Sequence, residues 1–244
     1  MSSEVKANKI SPATGTAFTF GDSGDTFTVP SGATITNSGT ANGFGGGFIK
    51  WTPVTATDTT FDLQSGTTIL LIEVQAAGGH GGSSDSGTRT GGPGAAGAYA
   101  KKLLTSMSDT DTLNITIGAA AAVAASGTTT SVASASGTSF TTITCTGGAG
   151  GTTAAGSYVA GGAGGAVPTT GDLNIKGQDG QYTNNASLPV AGASSMFGFG
   201  GQNSGSLTVA AAGSGYGSGG QGGRGASNAG AAGTAGIVMI WEYK

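Results

Sequence analysis

Gly78-Gly-His-Gly-Gly82, Gly147-Gly-Ala-Gly-Gly151, Gly161-Gly-Ala-Gly-Gly165 and Gly219-Gly-Gln-Gly-Gly-Arg-Gly225 repeat one unit, Gly-Gly-Xaa, with a period of three residues. That period belongs to the extended left-handed helix of the polyproline II type, which makes no hydrogen bonds of its own. In a dry interior its N–H and C=O groups must therefore pair with neighbouring segments. Two bare faces out of three let such helices lie close together and bond sideways, while the third face shows Ala, His, Gln or Arg. At about 3.1 Å per residue, 213–225 spans about 40 Å, enough for one rib of a slab with loops at its ends. Collagen has the same period, but strict Gly-Xaa-Yaa is absent and only 6 prolines occur.

The composition makes this reading necessary. Fifty of 244 residues are glycine and only 9% are charged, against a usual glycine share of about 7%. Glycine loses more backbone freedom on ordering than any other residue, so the chain is either a flexible linker or densely paired through its main chain. The tracts are read as ordered and paired, and the stretches between them, rich in Val, Ile, Thr and aromatics, favour β-structure. Strands are predicted at 48–51, 59–63, 67–75, 98–104, 112–117, 139–146 and 237–243. The run Ile237-Val-Met-Ile-Trp241 is almost uninterrupted in apolar character, which predicts a central strand beside 69–74. No useful helical periodicity occurs. In Ala119-Ala-Ala-Ala-Val-Ala-Ala125 methyl groups obstruct close packing, which puts this tract at the slab's edge or outside it. The predicted fold is all-β: a sandwich or jelly-roll-like body with packed polyglycine type II helices.

The first 45 residues differ. Short rungs at 17–20, 26–29 and 34–36 alternate apolar residues with Thr, separated by Gly/Asp/Ser/Pro turns. Phe18, Phe20, Phe27, Val29 and Ile35 enclose no core of their own. Stacked rungs from several copies would supply one, so residues 1–45 are expected to be a β shaft segment for oligomerisation, a homotrimer by analogy with intertwined shafts. Residues 46–244 form the glycine-rich domain.

Several chemistries are argued against. The net charge is −3, and the 9 Lys and Arg form no basic run, so nucleic acid is not an expected partner. The start Met1-Ser-Ser-Glu-Val-Lys6 lacks the apolar core of a signal peptide, and the longest apolar run is far short of a bilayer span. Synthesis in a cytoplasm without membrane insertion is expected. Cys145 is alone, so no internal disulfide forms, and its strand setting predicts a buried small apolar side chain. His80 is the only histidine, which leaves no histidine cluster for a metal and no credible triad. Gly215-Tyr-Gly-Ser-Gly-Gly220 matches a dinucleotide pattern literally, but no strand-to-helix context accompanies it. Asp109 with Asp111, and Asp22 with Asp25, read as solvated turns. No catalytic residue, metal or cofactor is assigned, and an enzyme is not expected.

An ordered series of segments carries a resemblance: Ile72-Glu-Val-Gln-Ala-Ala-Gly-Gly-His-Gly-Gly82, Gly97-Ala-Tyr-Ala-Lys-Lys-Leu-Leu104, Leu113-Asn-Ile-Thr-Ile-Gly118, Gly171-Asp-Leu-Asn-Ile-Lys-Gly-Gln-Asp-Gly180, Met196-Phe-Gly-Phe-Gly-Gly201 and Gly236-Ile-Val-Met-Ile-Trp-Glu-Tyr243. Over about 67–244 the chain resembles the glycine-rich, adhesin-like domain at the ends of bacteriophage tail fibres. Residues 21–39 resemble repeats in structural proteins of marine phages. The resemblance implies a virion appendage that binds a host surface receptor, either a glycan or an outer-membrane protein, through loops between the helices. Here those loops are 83–90, 152–159, 181–195 and 204–212. Residues 1–45 would then also attach to other virion proteins. A capsid decoration or connector with a purely structural role is the alternative. Tyr158, Tyr182, Asn184, Asn185 and Tyr216 are the binding candidates, because aromatic rings beside polar groups suit carbohydrate and protein surfaces at little rotamer cost. Arg89 and Arg224 are cations suited to anionic sugars.

Overall fold

The computed structural model describes residues 26, 28–34, 36, 47–85, 89–154, 158–184, 190–202 and 209–244. The chain divides into two units, Met1–Phe44 and Gly45–Lys244. In the first, Ser31 and Gly32 form a turn in which Ala33 N–H donates to the Pro30 carbonyl at 3.1 Å. None of this unit's described residues is in a strand, and Val29 is exposed. Of the rungs expected at 26–29 and 34–36, the described residues Thr26, Thr28, Val29, Thr34 and Thr36 lie outside any strand. The rung at 17–20 lies outside the described residues, as do Phe27 and Ile35.

The second unit is all-β, with no helix among the described residues. Its strands are β1 (Phe48–Val54), β2 (Asp58–Asp62), β3 (Ile69–Gln75), β4 (Tyr99–Thr105), β5 (Thr112–Thr116), β6 (Thr130–Ser136), β7 (Ile143–Cys145), β8 (Tyr158–Val159), β9 (Leu173–Ile175), β10 (Thr183–Asn184), β11 (Phe197–Phe199), β12 (Ser214–Tyr216) and β13 (Ile237–Tyr243). A five-stranded sheet runs β1-β13-β3-β4-β9 and a four-stranded sheet runs β2-β5-β6-β7, with every pair antiparallel. The last strand lies beside β3 in register Ile240↔Ile72, as its apolar run predicts.

Period-two alternation builds the core between these sheets. Leu70, Ile72 and Val74 of β3, with Val238 and Ile240 of β13, face Leu113, Ile115, Val132 and Ile143, and all nine are fully buried. Each such side chain contributes roughly 1.5–3 kcal/mol through burial. Cys145 sits in this core, its thiol donating to the Val74 carbonyl at 3.4 Å. Burial pushes that thiol up to about 12, which keeps it protonated and unreactive.

The glycine tracts leave the strand ends and pair laterally. From 76 onward, Ala76, Gly79 and Gly82 donate to the carbonyls of Ala98, Ala95 and Gly92 at 2.8–2.9 Å. Gly78, Gly81 and Ser84 donate to Thr234, Ala231 and Asn228 at 2.9 Å, and Ala77 and His80 to Thr128 and Ala125. Successive residues thus serve three different neighbours in rotation, the bonding of a threefold extended helix. Each donor step of +3 meets an acceptor step of −3, so these neighbours run antiparallel. The tract 91–98 repeats the scheme: Gly91, Gly94 and Gly97 donate to Gly223, Gly220 and Gly217, while Gly92, Ala95 and Ala98 donate to Thr152, Ala149 and Thr146.

Close approach explains the residue choice. A Cβ on Gly79 would fall on the Ala149 carbonyl, and one on Gly81 on that of Gln221. One expectation is corrected. The third face of the 78–82 tract does not display His80, which is only 5% exposed, and Gln221 is equally buried. Tract 76–84 lies inside the slab, with neighbours on every side, so it has no free face. The alanine-rich segment lies at the margin: Ala119 and Ala125 accept from Thr128 and His80, and Val123 at the intervening turn is 62% exposed.

Asp111 also departs from the sequence reading, being buried rather than solvated. Its carboxylate accepts the N–H groups of Ser108 at 2.9 Å and Thr138 at 3.0 Å. Gly137, at φ 80°, makes the second contact possible, since a Cβ there would strike the carboxylate. Burial alone would raise this carboxyl, but the donated hydrogen bonds from Ser108 and Thr138 outweigh it and hold the group below its ordinary range.

Gly79→Ala is expected to cost at least about 3 kcal/mol in denaturant unfolding. Gly47→Ala, where a Cβ meets nothing within 4 Å, should change stability by less than about 0.5 kcal/mol. Asp111→Ala should lose about 2–3 kcal/mol at neutral pH. That contribution is present above the ordinary carboxylate pKa of about 3.9 and is lost as pH falls through the lower folded value. Wild type and variant should therefore converge in acid-titrated unfolding.

Candidate functional site

Where the tracts end away from the sheets, several loops are tied together. Ala154 N–H donates to the Ser83 carbonyl and Ser84 N–H to that of Asn228, both at 2.9 Å. Thr183 Oγ1 donates towards the carbonyls of Thr90 at 3.3 Å and Val159 at 3.4 Å. The described parts of the predicted loops 83–90 and 152–159, the start of 181–195 and the turn 225–228 thus share one end of the slab.

The short ribbon of β8 and β10 stands at this end, in register Thr183↔Val159 and Asn184↔Tyr158. Alternation sends Val159 and Thr183 inward, at 5% and 2% exposure, and Tyr158 outward at 79%. Tyr182, two residues before Asn184, shares the outward face and is 76% exposed. The two tyrosines are diagonal cross-strand neighbours, a spacing that aromatic side chains can bridge. Their rings and hydroxyls stand in water on a short ribbon whose inner side is anchored. Such a platform can stack on an apolar sugar face or a protein side chain while its hydroxyls bond to polar groups.

Arg89 lies beside Thr90 at the same end. Its guanidinium pairs with Asp85 at 3.4 Å and remains 42% exposed, so it reaches solvent already partly neutralised. Asn184 has its backbone placed opposite Tyr158, and Asn185 lies outside the described residues. Tyr216 is separated from this group. It ends β12, paired with Phe197, and precedes Gly217, whose carbonyl is bonded by Gly97 next to the five-stranded sheet. The tract 217–223 puts it about 20 Å from the tyrosine platform.

A cavity of about 290 Å³ near Tyr216's end was not legible in the sequence; its lining includes Gln75, Tyr99, Ile175, Gln178, Ser194 and Met196. Gln75 is fully buried, its amide donating to the Gly97 carbonyl at 2.9 Å. Burial, and after it the Glu73 carboxylate, raise the Tyr99 phenol, so it stays protonated. Ser195 Oγ donates to the Tyr216 carbonyl. The sole histidine is held in the slab, its Nδ1 against the Gly81 carbonyl. Among the described residues no group of three or more His, Cys, Asp or Glu side chains is placed to hold a metal ion, and no helix is long and apolar enough to cross a membrane.

No protein-family model and no curated protein matches the chain.

Replacing both Tyr158 and Tyr182 by Ala should leave unfolding free energy within about 0.5 kcal/mol of wild type, because neither ring is packed. Val159→Asp, behind the same ribbon, should cost more than about 2 kcal/mol. Chemical denaturation of the three proteins compares them directly.

Proposed function

We propose that this chain is a bacteriophage virion appendage, a tail-fibre or fibre-tip protein, that assembles as an oligomer and meets the host cell surface through the loop end of its slab. The observation that supports the reading most is the exposed Tyr158–Tyr182 platform, held on a ribbon anchored by Val159 and Thr183. At this end two aromatic side chains stand open to a partner without contributing to stability. A backbone-bonded slab suits the task, because it fixes the loops without depending on their sequence.

The receptor class in this proposal is a surface glycan or an outer-membrane protein, with the tyrosines stacking and Arg89 assisting where the ligand is acidic. Oligomerisation as a trimer, attachment to other virion proteins through residues 1–45, and a place in the virion after synthesis in the host cytoplasm complete the proposal.

The test is adsorption of the labelled full-length protein to a panel of bacteria that includes hosts of the phage encoding it. Binding to susceptible cells should fall at least tenfold in the Tyr158→Ala, Tyr182→Ala variant, about the loss expected when an aromatic anchor worth 1.4 kcal/mol or more is removed. Undiminished binding by the variant, no binding by the wild type, or immunolabelling on the capsid shell rather than the tail end would each defeat this reading.

A further inference from the structure

The outer face of the five-stranded sheet carries apolar side chains that the core does not use. Trp51 of β1 pairs in register with Trp241, Trp241 with Leu71, and Leu71 with Leu103, giving one unbroken row of large apolar groups across four strands. The tryptophan rings lie 6.4 Å apart, and Trp51 and Leu103 are 49% and 51% exposed. A second row runs Phe48, Tyr243 and Ile69, with the Phe48 and Tyr243 rings edge to face at 5.8 Å. On the other side of the tryptophan row, Pro53 and Met239 lead through Glu73 and Lys101 to the exposed Leu173. Only the row nearest the slab is covered: Tyr99 is buried there with its ring 5.8 Å from Phe197.

An apolar face this large is unusual on a soluble monomer. We infer that it is an interface between copies of this chain, in which one sheet packs face to face on the sheet of a second copy.

Four observations favour a second copy over other occupants. The first is charge: Glu73 and Lys101, the charged residues within these three rows, close on each other at 2.9 Å. An identical face therefore meets no like charge, and a lipid surface finds no unpaired cation to attract its anionic headgroups. The second is chemistry, since a glycan needs polar groups beside the rings, and these rows offer little besides that ion pair. The third is geometry. The free edge at β1 carries Pro53 and an irregular register between Phe48 and Lys50, features that block strand addition, so the face rather than the edge is left for contact. The fourth is size. With aromatic side chains burying about 150–250 Å² each, the exposed fractions here amount to on the order of 600 Å² per copy, close to the roughly 800 Å² per partner of a standard interface.

This goes beyond the proposed host contact and adds an assembly determinant in the body to the one expected in residues 1–45. It is also separable in experiment, because Trp51 and Trp241 are the chain's only two tryptophans and both lie in the contact. Full-length protein should show a mass above the monomer by sedimentation. Its tryptophan emission should shift to the red, and acrylamide quenching should rise, as dilution dissociates it. Trp51→Lys and Leu103→Lys should each weaken self-association by about 30-fold or more, while Val123→Lys, on the exposed slab margin, should leave it unchanged.

A monomeric wild type with fully quenchable tryptophans at every concentration overturns the inference. So does an oligomer whose tryptophans stay accessible and whose mass survives both lysine substitutions, since that places the contact elsewhere. The quenching series on the wild type decides the matter even if a lysine variant folds poorly. Host adsorption can succeed or fail independently of either result.

Discussion

A sideways N–H···O=C bond between extended backbones, possible only where no Cβ intervenes, is the constraint on which the slab rests. In a helix or sheet, side chains choose the partner and the backbone follows. Here the order is reversed, because Gly79 and Gly81 bring carbonyls of other tracts to where a side chain would begin. The ordering entropy of so many glycines is large, and it is offset by pairing nearly every peptide group in three directions. The cooperative unit is therefore the bundle of tracts, and no single tract has a reason to be ordered alone.

The sandwich supplies what such tracts cannot provide for themselves, namely register. Tract 76–84 continues β3, tract 91–98 leads into β4, and tract 217–223 leaves β12. The core of Leu70, Ile72, Val74, Val238 and Ile240 against Leu113, Ile115 and Val132 fixes where the tracts joined to β3 and β4 meet the sheets. A slip of one residue along a threefold helix would direct its donors to the wrong neighbours. The sheet ladders exclude such a slip, because moving a strand by one residue would turn its apolar set out of the core.

Different parts of this architecture left signals of different strength. β3 and β13 were legible because large β-branched and aromatic residues mark them, and their pairing followed from the uninterrupted run in β13. β6 was missed, since Thr130-Ser-Val-Ala-Ser-Ala-Ser136 offers one large apolar residue and reads as a linker. Tract 91–98 lacks a clean Gly-Gly-Xaa repeat because Pro93, Ala95 and Ala96 interrupt it, yet its backbone bonds in the same rotation. The tyrosine platform was half legible: exposed aromatics in loops drew attention to Tyr158 and Tyr182, but composition could not place Tyr216 at the opposite end of its tract. The apolar outer face was hidden by the feature that identified β13, because a run apolar at both parities reads as buried on both sides, and here one side is open.

The direction of the tracts has a mechanical corollary. A pull between the Tyr158 ribbon and the sheets runs along the tract axes, at right angles to the lateral hydrogen bonds. Those bonds are then loaded in shear, many sharing the force at once, instead of being unzipped one after another from an end. Extended backbone also has little slack to give, so a tether built this way yields little until the whole array fails together.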